Sequence, residues 1–303
     1  MREYCLNIAG YNIKVKSAPG GPLLGPSARF EGSRVQSNKH DILIRVHTGQ
    51  FILPAGAERV FHAPFVGERE GKTFIRSEEF WDVYRDKEGG LYICTIFPLE
   101  ESQDRGTLIF SLRSDVWELW IEGKGGKIDP LAYPLDGLLL YYLTVISNDI
   151  MIHASGVGFK DRGYIFSGVS GKGKSTIARL WHEAGARVIH DDRLIIRRMN
   201  GKYRFYNTPV YDNDKPLEAP LNAIFLIEHG TENIIEPLSG VQAVSQVLAN
   251  CIQHNWDKNI TGNLVNAITD MCEKIRVFRF YFKPEPSAIN FILDHEHSQK
   301  TYR

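Results

Sequence analysis

The stretch Gly168-Val169-Ser170-Gly171-Lys172-Gly173-Lys174-Ser175 decides the fold of the second half of this chain. It matches the pattern G-x-x-x-x-G-K-[ST], which is typical of a loop that binds phosphate groups. Glycines allow consecutive backbone N–H groups to converge on an anion. A helix that follows such a loop directs its positive N-terminus at the same anion. The ligand that the pattern predicts is a nucleoside triphosphate.

Every position of this phosphate loop (168–175), together with the residue after it, is a candidate contact for the nucleotide. Lys174 is expected to reach the β- and γ-phosphates, and the Ser175 hydroxyl is expected to bind Mg²⁺. Lys172 has the simpler explanation of a charge exposed to solvent. An accidental glycine-rich turn is the alternative, but it does not explain why these glycines and Lys174 occur together. The predicted nucleotide contacts are Gly168, Val169, Ser170, Gly171, Lys172, Gly173, Lys174, Ser175 and Thr176.

The residues around the phosphate loop predict alternating strands and helices. Residues 150–153 and 163–166 predict strands, and the second of these leads directly into the loop. Residues 175–184 predict a helix with Gly185 just after its end, and residues 187–189 predict the next strand. A strand, a loop, a helix and a strand in this order predict a mixed α/β architecture.

Further along the chain, individual residues mark turns and helix starts. Asn200-Gly201 indicates a type I′ hairpin turn. Ser239 and Thr261 are the expected N-caps of two helices. The tail His295-Glu296-His297 is expected to be a solvated terminus rather than a metal site.

Two adjacent carboxylates, Asp191 and Asp192, follow the predicted strand 187–189. In open α/β sheets ligands bind beyond the carboxyl ends of the strands, where one carboxylate can accept a proton from a hydroxyl nucleophile and the other can bind metal. The alternative is a turn-forming pair at the end of a strand. His153 ends the strand before the one that leads into the loop, and by itself a histidine there is usually structural.

Residues 1–125 are expected to form a β-rich N-terminal domain, and residues 126–303 a catalytic domain. Short runs of β-branched and aromatic residues in the first part are typical of strands, and Gly123-Lys124-Gly125-Gly126 is the expected boundary. The aromatic residues of this part are consistent with either a sheet core or a partner surface. The predicted strands are 42–46, 73–77, 82–86, 91–97, 107–112 and 116–123.

Composition gives no support for several classes of function. The chain has 303 residues, of which 36 are basic and 36 acidic, so its net charge of zero gives no support for binding nucleic acid or a membrane. Its four cysteines lie in no C-x-x-C pair or metal-ligand spacing. The start has no signal-peptide core, and the longest apolar run is about half of the ~20 residues that a membrane helix needs. These features predict a cytoplasmic protein.

The segment IHASGVGFKDRGYIFSGVSGKGKSTIARLWHEAGARVIHDDR (152–193) resembles the catalytic domain of HPr kinase/phosphorylase and the wider group of HPr-kinase-like serine kinases. His153, the phosphate loop, Gly185 and Asp191-Asp192-Arg193 occur in the order and spacing of that family. The resemblance implies a phosphoenolpyruvate-carboxykinase-like P-loop fold and an ATP- and Mg²⁺-dependent kinase that phosphorylates a serine.

The resemblance also implies a role for each matching residue. Asp191 would be the general base, with His153 close by as its partner. Lys174 would hold the β- and γ-phosphates, and Ser175 would bind Mg²⁺. Asp192 would support the metal or the base, and Glu218 lies near the place of a metal-linked glutamate. A homo-oligomer is left open, since members of the family are often oligomeric and no heptad repeat supports one independently.

Departures from the family pattern limit which activities the resemblance implies. The bifunctional enzymes have an acidic residue after the serine of the loop, where this chain has Thr176. Their Glu-x-Arg-Gly signature is absent, because Glu218 is followed by Ala219-Pro220. The chain is therefore more similar to single-activity kinases of the group, some of which phosphorylate a serine of a precursor peptide, for example in lasso-peptide pathways. The alternatives are a nucleotide-binding regulator without catalysis and a kinase of a small hydroxylated molecule.

Overall fold

Strands dominate both parts of this chain. The computed structural model describes residues 1–69, 72–98, 104–123, 127–212 and 214–298, which form twenty strands, five α-helices and one 3₁₀-helix. By their contacts, residues 1–146 and 209–216 group into unit 1, and the rest of the chain groups into unit 2. In the described parts of the chain, no helix has the length and hydrophobicity needed to cross a bilayer.

Unit 1 is built around a mixed sheet of nine strands, in which some neighbours are antiparallel and some parallel. The strand order is β4-β1-β2-β5-β10-β9-β8-β7-β6. Its helices are a 3₁₀-helix (Ala28–Ser33) and α1 (Leu135–Ser147). Buried and more exposed side chains alternate along most strands, as expected when one face of a sheet is covered. The strands are β1 (Glu3–Ile8), β2 (Tyr11–Ser17), β3 (Leu23–Leu24), β4 (Arg34–Val35), β5 (Ile42–Thr48), β6 (Glu58–Arg69), β7 (Lys72–Arg85), β8 (Leu91–Ile96), β9 (Arg105–Phe110), β10 (Val116–Glu122) and β11 (Lys127–Ile128).

The boundary between the units differs from the predicted domain boundary at 125/126. Helix α1 groups with unit 1, because it packs on that unit's sheet: the rings of Phe110 and Tyr142 are 4.5 Å apart. Arg29 also lies 3.2 Å from the buried carboxylate of Asp136 in α1. The glycine-rich signal at 123–126 falls mostly outside the described residues, of which Gly123 is the last before the gap.

The strand predictions for the first part of the chain identify most of the central strands and miss others. Residues 73–77 and 82–86, predicted as separate strands, both belong to β7, apart from Asp86, which follows it. Strands β1, β2 and β6 were not predicted. In β2, asparagine and lysine alternate with apolar residues, and in β1 the apolar run of Tyr4, Cys5 and Leu6 is only three residues long. The period-2 alternation itself is the signal that identifies them.

Unit 2 is a mixed α/β arrangement with a second sheet, in the order β17-β16-β15-β12-β13-β18-β20-β19, and β14 pairs with β12. Its strands are β12 (Ile150–Phe159), β13 (Arg162–Ser167), β14 (Arg187–His190), β15 (Arg193–Met199), β16 (Lys202–Asn207), β17 (Glu218–Pro220), β18 (Ala223–His229), β19 (Ile234–Leu238) and β20 (Arg276–Phe282). Its helices are α2 (Lys174–Glu183), α3 (Gly240–Leu248), α4 (Lys258–Cys272) and α5 (Ser287–Ser298).

Helices cover both faces of this sheet, and each face has its own core. On one face, Trp181 of α2 and Ile289 of α5 pack with aromatic residues of the strands. On the other face, Val247 of α3 and Ile268 of α4 pack with aliphatic residues of the strands. A sheet with helices on both faces needs apolar residues in consecutive positions, which explains why the central strands of this unit were predicted easily.

The local predictions in unit 2 have mixed outcomes. Asn200 and Gly201 have φ values of +50° and +79°, as a type I′ turn requires, and Gly185 has φ +86° after the end of α2. Ser239 is the N-cap residue of α3. The prediction of Thr261 as an N-cap was wrong: α4 begins one turn earlier, and the side chain of Asp257 caps it.

The C-terminal tail also differs from its prediction. Glu296 is only 3 % exposed, because its carboxylate lies between Arg162 of β13 and Arg276 of β20. The ring of His295 packs edge-on against Phe278. The last turns of α5 are therefore part of unit 2 rather than a solvated terminus, since two arginines compensate the buried charge.

Candidate functional site

Strand β12 is the centre of the candidate site. It is antiparallel to β13 on one side, with Ala154 opposite Ser167, and to β14 on the other, with Gly156 opposite His190. Strands β13 and β14 therefore run in the same direction and end at nearly the same level of β12. Because neighbouring strands lie about 4.8 Å apart, the two strand ends are about 10 Å apart. The phosphate loop follows β13, and Asp191-Asp192 follows β14, so the fold brings these segments together.

The phosphate loop has the conformation that its glycines allow. Gly171 and Gly173 have φ values of +81° and +96°, in the left-handed region that side chains rarely adopt. Gly173 is the N-cap residue of α2, and a Cβ there would lie 2.8 Å from the ring of Phe282. The first N–H groups of a helix have no intrahelical partner. The loop therefore presents backbone donors at the start of α2, where an anion is favoured.

Lys174 lies inside the loop and is largely buried. Its ammonium group donates to the carbonyl oxygens of Gly168, at 2.7 Å, and Val169, at 3.4 Å. Burial lowers the pKa of Lys174, and the charge of Asp192 acts in the opposite direction. The two carbonyl oxygens and the charge of Asp192 therefore compensate the buried ammonium group in part. The role of Lys174 in holding phosphates stays a prediction from the sequence.

His153 of β12 contacts one carboxylate of the acidic pair, that of Asp192. Its Nδ1 lies 3.3 Å from Oδ1 of Asp192, and Nε of Arg193 lies 3.5 Å from Oδ2. The hydrogen bond from His153 lowers the pKa of Asp192, burial opposes this, and the charge of Arg193 adds to it. Asp192 is therefore ionised at neutral pH. The resemblance implied Asp191 as the partner of His153, whereas the carboxylate that His153 contacts is that of Asp192.

Asp191 has a different environment from its neighbour. Within the described part of the chain, no group makes a hydrogen bond or an ion pair with its carboxylate. The turn that presents it is fixed by the buried ring of His190, whose Nδ1 accepts hydrogen bonds from the N–H groups of Asp192, at 3.0 Å, and Arg193, at 3.4 Å. His190 is thus a structural residue. One carboxylate of the pair is anchored, and the other is available to a ligand.

Strand β18 adds residues that the sequence reasoning missed. It is parallel to β13 with Leu226 opposite Ser167, so the residues after Leu226 continue past the end of β13 and lie beside the phosphate loop. The carboxylate of Glu228 lies 2.7 Å from the ammonium group of Lys172. Nε2 of His229 lies 2.9 Å from the carbonyl oxygen of Gly171. The sequence signal that could have identified these two residues is an apolar strand that ends in two polar residues before a glycine.

Glu218 lies apart from the other predicted metal ligands. It is in β17, which is separated from β12 by β16 and β15 in the order of the sheet. Its carboxylate lies 2.8 Å from Arg204, and its carbonyl oxygen accepts a hydrogen bond from Arg187 at the start of β14. The phosphate loop and Asp192, in contrast, lie near the end of β14. The structure therefore brings Asp192 close enough to the phosphate loop for its charge to act on Lys174, and it places Glu218 elsewhere.

The residues around the loop fit a magnesium–nucleotide better than a metal ion held by protein alone. The Ser175 hydroxyl and the carboxylates of Asp191 and Asp192 are hard oxygen donors, as Mg²⁺ prefers. No three His, Cys, Asp or Glu side chains within the described ranges lie close enough together to hold a metal ion. Mg²⁺ normally uses one or two carboxylates, with phosphate oxygens and waters supplying its other ligands. The donor set therefore fits a cation that arrives with a nucleotide.

No family model and no curated protein matches this chain. Among solved structures, it is similar to the Hpr(Ser) kinase/phosphatase from Coxiella burnetii, with 9% sequence identity and a TM-score of 0.30. The alignment covers 50% of this chain and 99% of that chain. A similarity at this level carries no inference about the activity of this chain.

Proposed function

We propose that this chain is an ATP- and Mg²⁺-dependent kinase that phosphorylates a serine hydroxyl of a protein or peptide. The observation that carries the proposal is the position of three segments around β12: the phosphate loop, Asp191-Asp192 and His153. A phosphate loop alone supports only nucleotide binding. An unpartnered carboxylate beside the loop adds a group that can accept the proton of an attacking hydroxyl.

The residues of the site divide into those that bind the donor and those that activate the acceptor. Backbone N–H groups of the loop and the ammonium group of Lys174 hold the phosphates. Ser175 and one carboxylate of the acidic pair would hold Mg²⁺, which supplies charge neutralisation when bound. In-line phosphoryl transfer depends mainly on positioning and on electrostatic stabilisation, so these residues contribute to the rate without covalent participation.

Asp191 is the proposed general base, and Asp192 is the proposed anchor and metal-facing carboxylate. The carboxylate of Asp192 is already engaged by His153 and Arg193, and its lowered pKa makes it the weaker proton acceptor. Asp191 has no such engagement within the described residues. The proton of the serine hydroxyl would move to an Asp191 oxygen as the hydroxyl oxygen attacks the γ-phosphorus and the bond to ADP breaks.

Beyond the catalytic residues, we also propose a fold or a role for each part of the chain. We assign the phosphoenolpyruvate-carboxykinase-like fold to unit 2, which lies within the predicted catalytic domain 126–303, and a substrate-binding or structural role to the β-rich residues 1–125. A role of Glu218 as a metal ligand would require a ligand set different from the one that surrounds the loop. A cytoplasmic location and a homo-oligomer stay predictions from the sequence and the resemblance.

Phosphoryl transfer from labelled ATP to serine peptides tests the proposal. The full chain is incubated with Mg²⁺, γ-labelled ATP and a serine-peptide library, beside an Asp191→Asn variant. Loss of a general base is expected to lower the transfer rate by about 10²- to 10⁴-fold, while ATP affinity changes little. Asp161→Asn is the matched control, because Asp161 lies in the exposed turn between β12 and β13, at the opposite end of β13 from the loop.

Each outcome distinguishes the proposal from its alternatives. Equal transfer by the wild type and by Asp191→Asn would remove Asp191 from the role of base. ATP binding with no transfer to any acceptor would favour the nucleotide-binding regulator. Transfer to free serine in preference to peptides would favour a kinase of small molecules. Peptides in which alanine replaces serine show whether the hydroxyl is the acceptor.

A further inference from the structure

Two consecutive residues at the end of β18 hold two consecutive residues of the phosphate loop. Glu228 pairs with the side chain of Lys172, and His229 contacts the carbonyl oxygen of Gly171. A carbonyl oxygen only accepts hydrogen bonds, so Nε2 of His229 is the donor. These contacts act on the peptide that joins Gly171 to Lys172, at the middle of the loop. The same peptide is also tied on its other side, because the N–H of Lys172 donates to the carbonyl oxygen of Val169, at 3.3 Å.

The orientation of this peptide matters to an anion in the loop. The carbonyl oxygen and the N–H of one trans peptide point in opposite directions. An anion-binding concavity forms where successive N–H groups converge, with the carbonyl oxygens directed away from the anion. Gly171 is in the left-handed region and carries no Cβ, and a Cβ built there would meet no atom within 4 Å. Local sterics therefore do little to prevent rotation of this peptide.

We propose that His229 and Glu228 are positioning residues for nucleotide binding: they keep the Gly171 carbonyl directed away from the phosphates. This inference rests on the proposed nucleotide function and concerns the same site. His229 supplies the donor that holds the carbonyl oxygen outside the loop. Glu228 supplies an anion that holds the Lys172 side chain on the same side. A carbonyl that rotated inward would place a partial negative charge against the phosphates.

The two side chains are expected to act differently. The His229 hydrogen bond acts directly on the peptide, so any side chain with an N–H donor of similar reach should replace it in part. The Glu228–Lys172 pair acts through the lysine side chain, so each member matters only while the other is present. Both pairs are at the surface, where removal of one contact costs the folded state little.

ATP affinity of designed variants tests the inference. MgATP binding to the full chain is measured by calorimetry for the wild type, His229→Phe and His229→Gln. Loss of one hydrogen bond in His229→Phe is expected to weaken binding about three- to tenfold, and the amide donor of His229→Gln is expected to restore part of it. His182→Phe is the control, because His182 is exposed on α2 and lies eight residues after the first residue of that helix.

A double-mutant cycle tests the ion pair. Glu228→Gln and Lys172→Met are combined, and the double variant is expected to bind ATP no more weakly than the weaker single variant, because the two side chains act as one unit. The urea midpoint should change little, since surface substitutions usually alter the free energy of unfolding by less than about 0.5 kcal/mol. In transfer assays Glu228→Gln should raise the KM for ATP while kcat is unchanged, as expected when binding of the substrate and of the transition state is weakened equally.

The outcomes separate this inference from the function on which it rests. Absence of ATP binding by the wild type would overturn both. Binding by the wild type with equal affinity in His229→Phe would overturn the role of His229 and leave the nucleotide function intact. If His229→Phe lowered both the urea midpoint and the affinity for ATP, the proposed role of His229 would also be overturned. The residue would then stabilise the fold rather than position the loop. Additive effects in the cycle would overturn the role of Glu228.

Discussion

At the residue scale, the loop requires glycine at Gly173. Its φ of +96° and its contact with Phe282 are separate reasons for glycine at this position. An alanine Cβ would lie 2.8 Å from Cζ and 3.3 Å from Cε1 of the Phe282 ring. We expect Gly173→Ala to lower the free energy of unfolding by about 1–3 kcal/mol and to weaken ATP binding. Urea unfolding and calorimetry measure the two effects.

Gly171→Ala is the matched control for this substitution. Gly171 has a similar φ of +81°, but a Cβ there would meet no atom within 4 Å. It should therefore show the conformational cost, about 1–2 kcal/mol, without the steric conflict. In a Phe282→Leu background, Gly173→Ala should cost less stability than it does in the wild type, because the ring that its Cβ would meet is removed. Equal losses in Gly171→Ala and Gly173→Ala would show that Phe282 contributes nothing.

At the scale of elements, the start of α4 is set by one aspartate. The carboxylate of Asp257 accepts hydrogen bonds from the N–H groups of Asn259, at 2.8 Å, and Ile260, at 3.2 Å. These are donors that no intrahelical carbonyl satisfies. Helix α4 also carries Ile268 and Met271 into the core of unit 2, so its stability is coupled to that of the sheet.

We expect Asp257→Ala to lower the free energy of unfolding by about 1 kcal/mol, since the N-cap is lost. Thr261→Ala is the comparison, because Thr261 was the N-cap predicted from the sequence. Its hydroxyl donates to the carbonyl oxygen of Asp257 within the helix, at 3.2 Å, and such a bond contributes little. Urea unfolding of both variants measures the difference. A larger loss in Thr261→Ala than in Asp257→Ala would contradict the helix start seen here.

At the scale of the whole molecule, the stability of the chain should depend on pH through His254. This side chain is 8% exposed, and burial lowers its pKa to about 3. An unfolded histidine has a pKa of about 6.5, so between these values the unfolded state binds more protons than the folded state. Stability from this residue is therefore complete above pH 6.5 and is lost as the pH falls toward 3.

The expected contribution is a loss of about 2 kcal/mol in the free energy of unfolding between pH 7 and pH 5. The measurement is urea unfolding at both pH values for the wild type and for His254→Gln, which has no titratable group. The variant should show a smaller pH dependence, whatever its absolute stability. His40→Gln, at an exposed position, should behave like the wild type. A pH dependence that is unchanged in His254→Gln would refute the assignment.

The sequence predicted much of the local structure of unit 2 but less of unit 1. The phosphate loop, α2, Gly185 and the Asn200-Gly201 turn follow from backbone chemistry within a few residues, which the sequence contains in full. Strands β1 and β2 were missed because their apolar residues are interrupted by polar ones. The place of helix α1 in unit 1 depends on packing with residues distant in the chain, such as Phe110.

By itself, the sequence determined that a phosphate loop precedes a helix, that two carboxylates follow the next strand, and that a histidine precedes both. Only the tertiary structure decided which of these side chains meet. The antiparallel pairing of β12 with β15 sets His153 opposite Arg193 and so brings it to the neighbouring Asp192 rather than to Asp191. The parallel pairing of β18 with β13 brings Glu228 and His229 to the loop. The physical reason is that strand pairing joins residues far apart in the chain, whereas loop and helix signals act within a few residues.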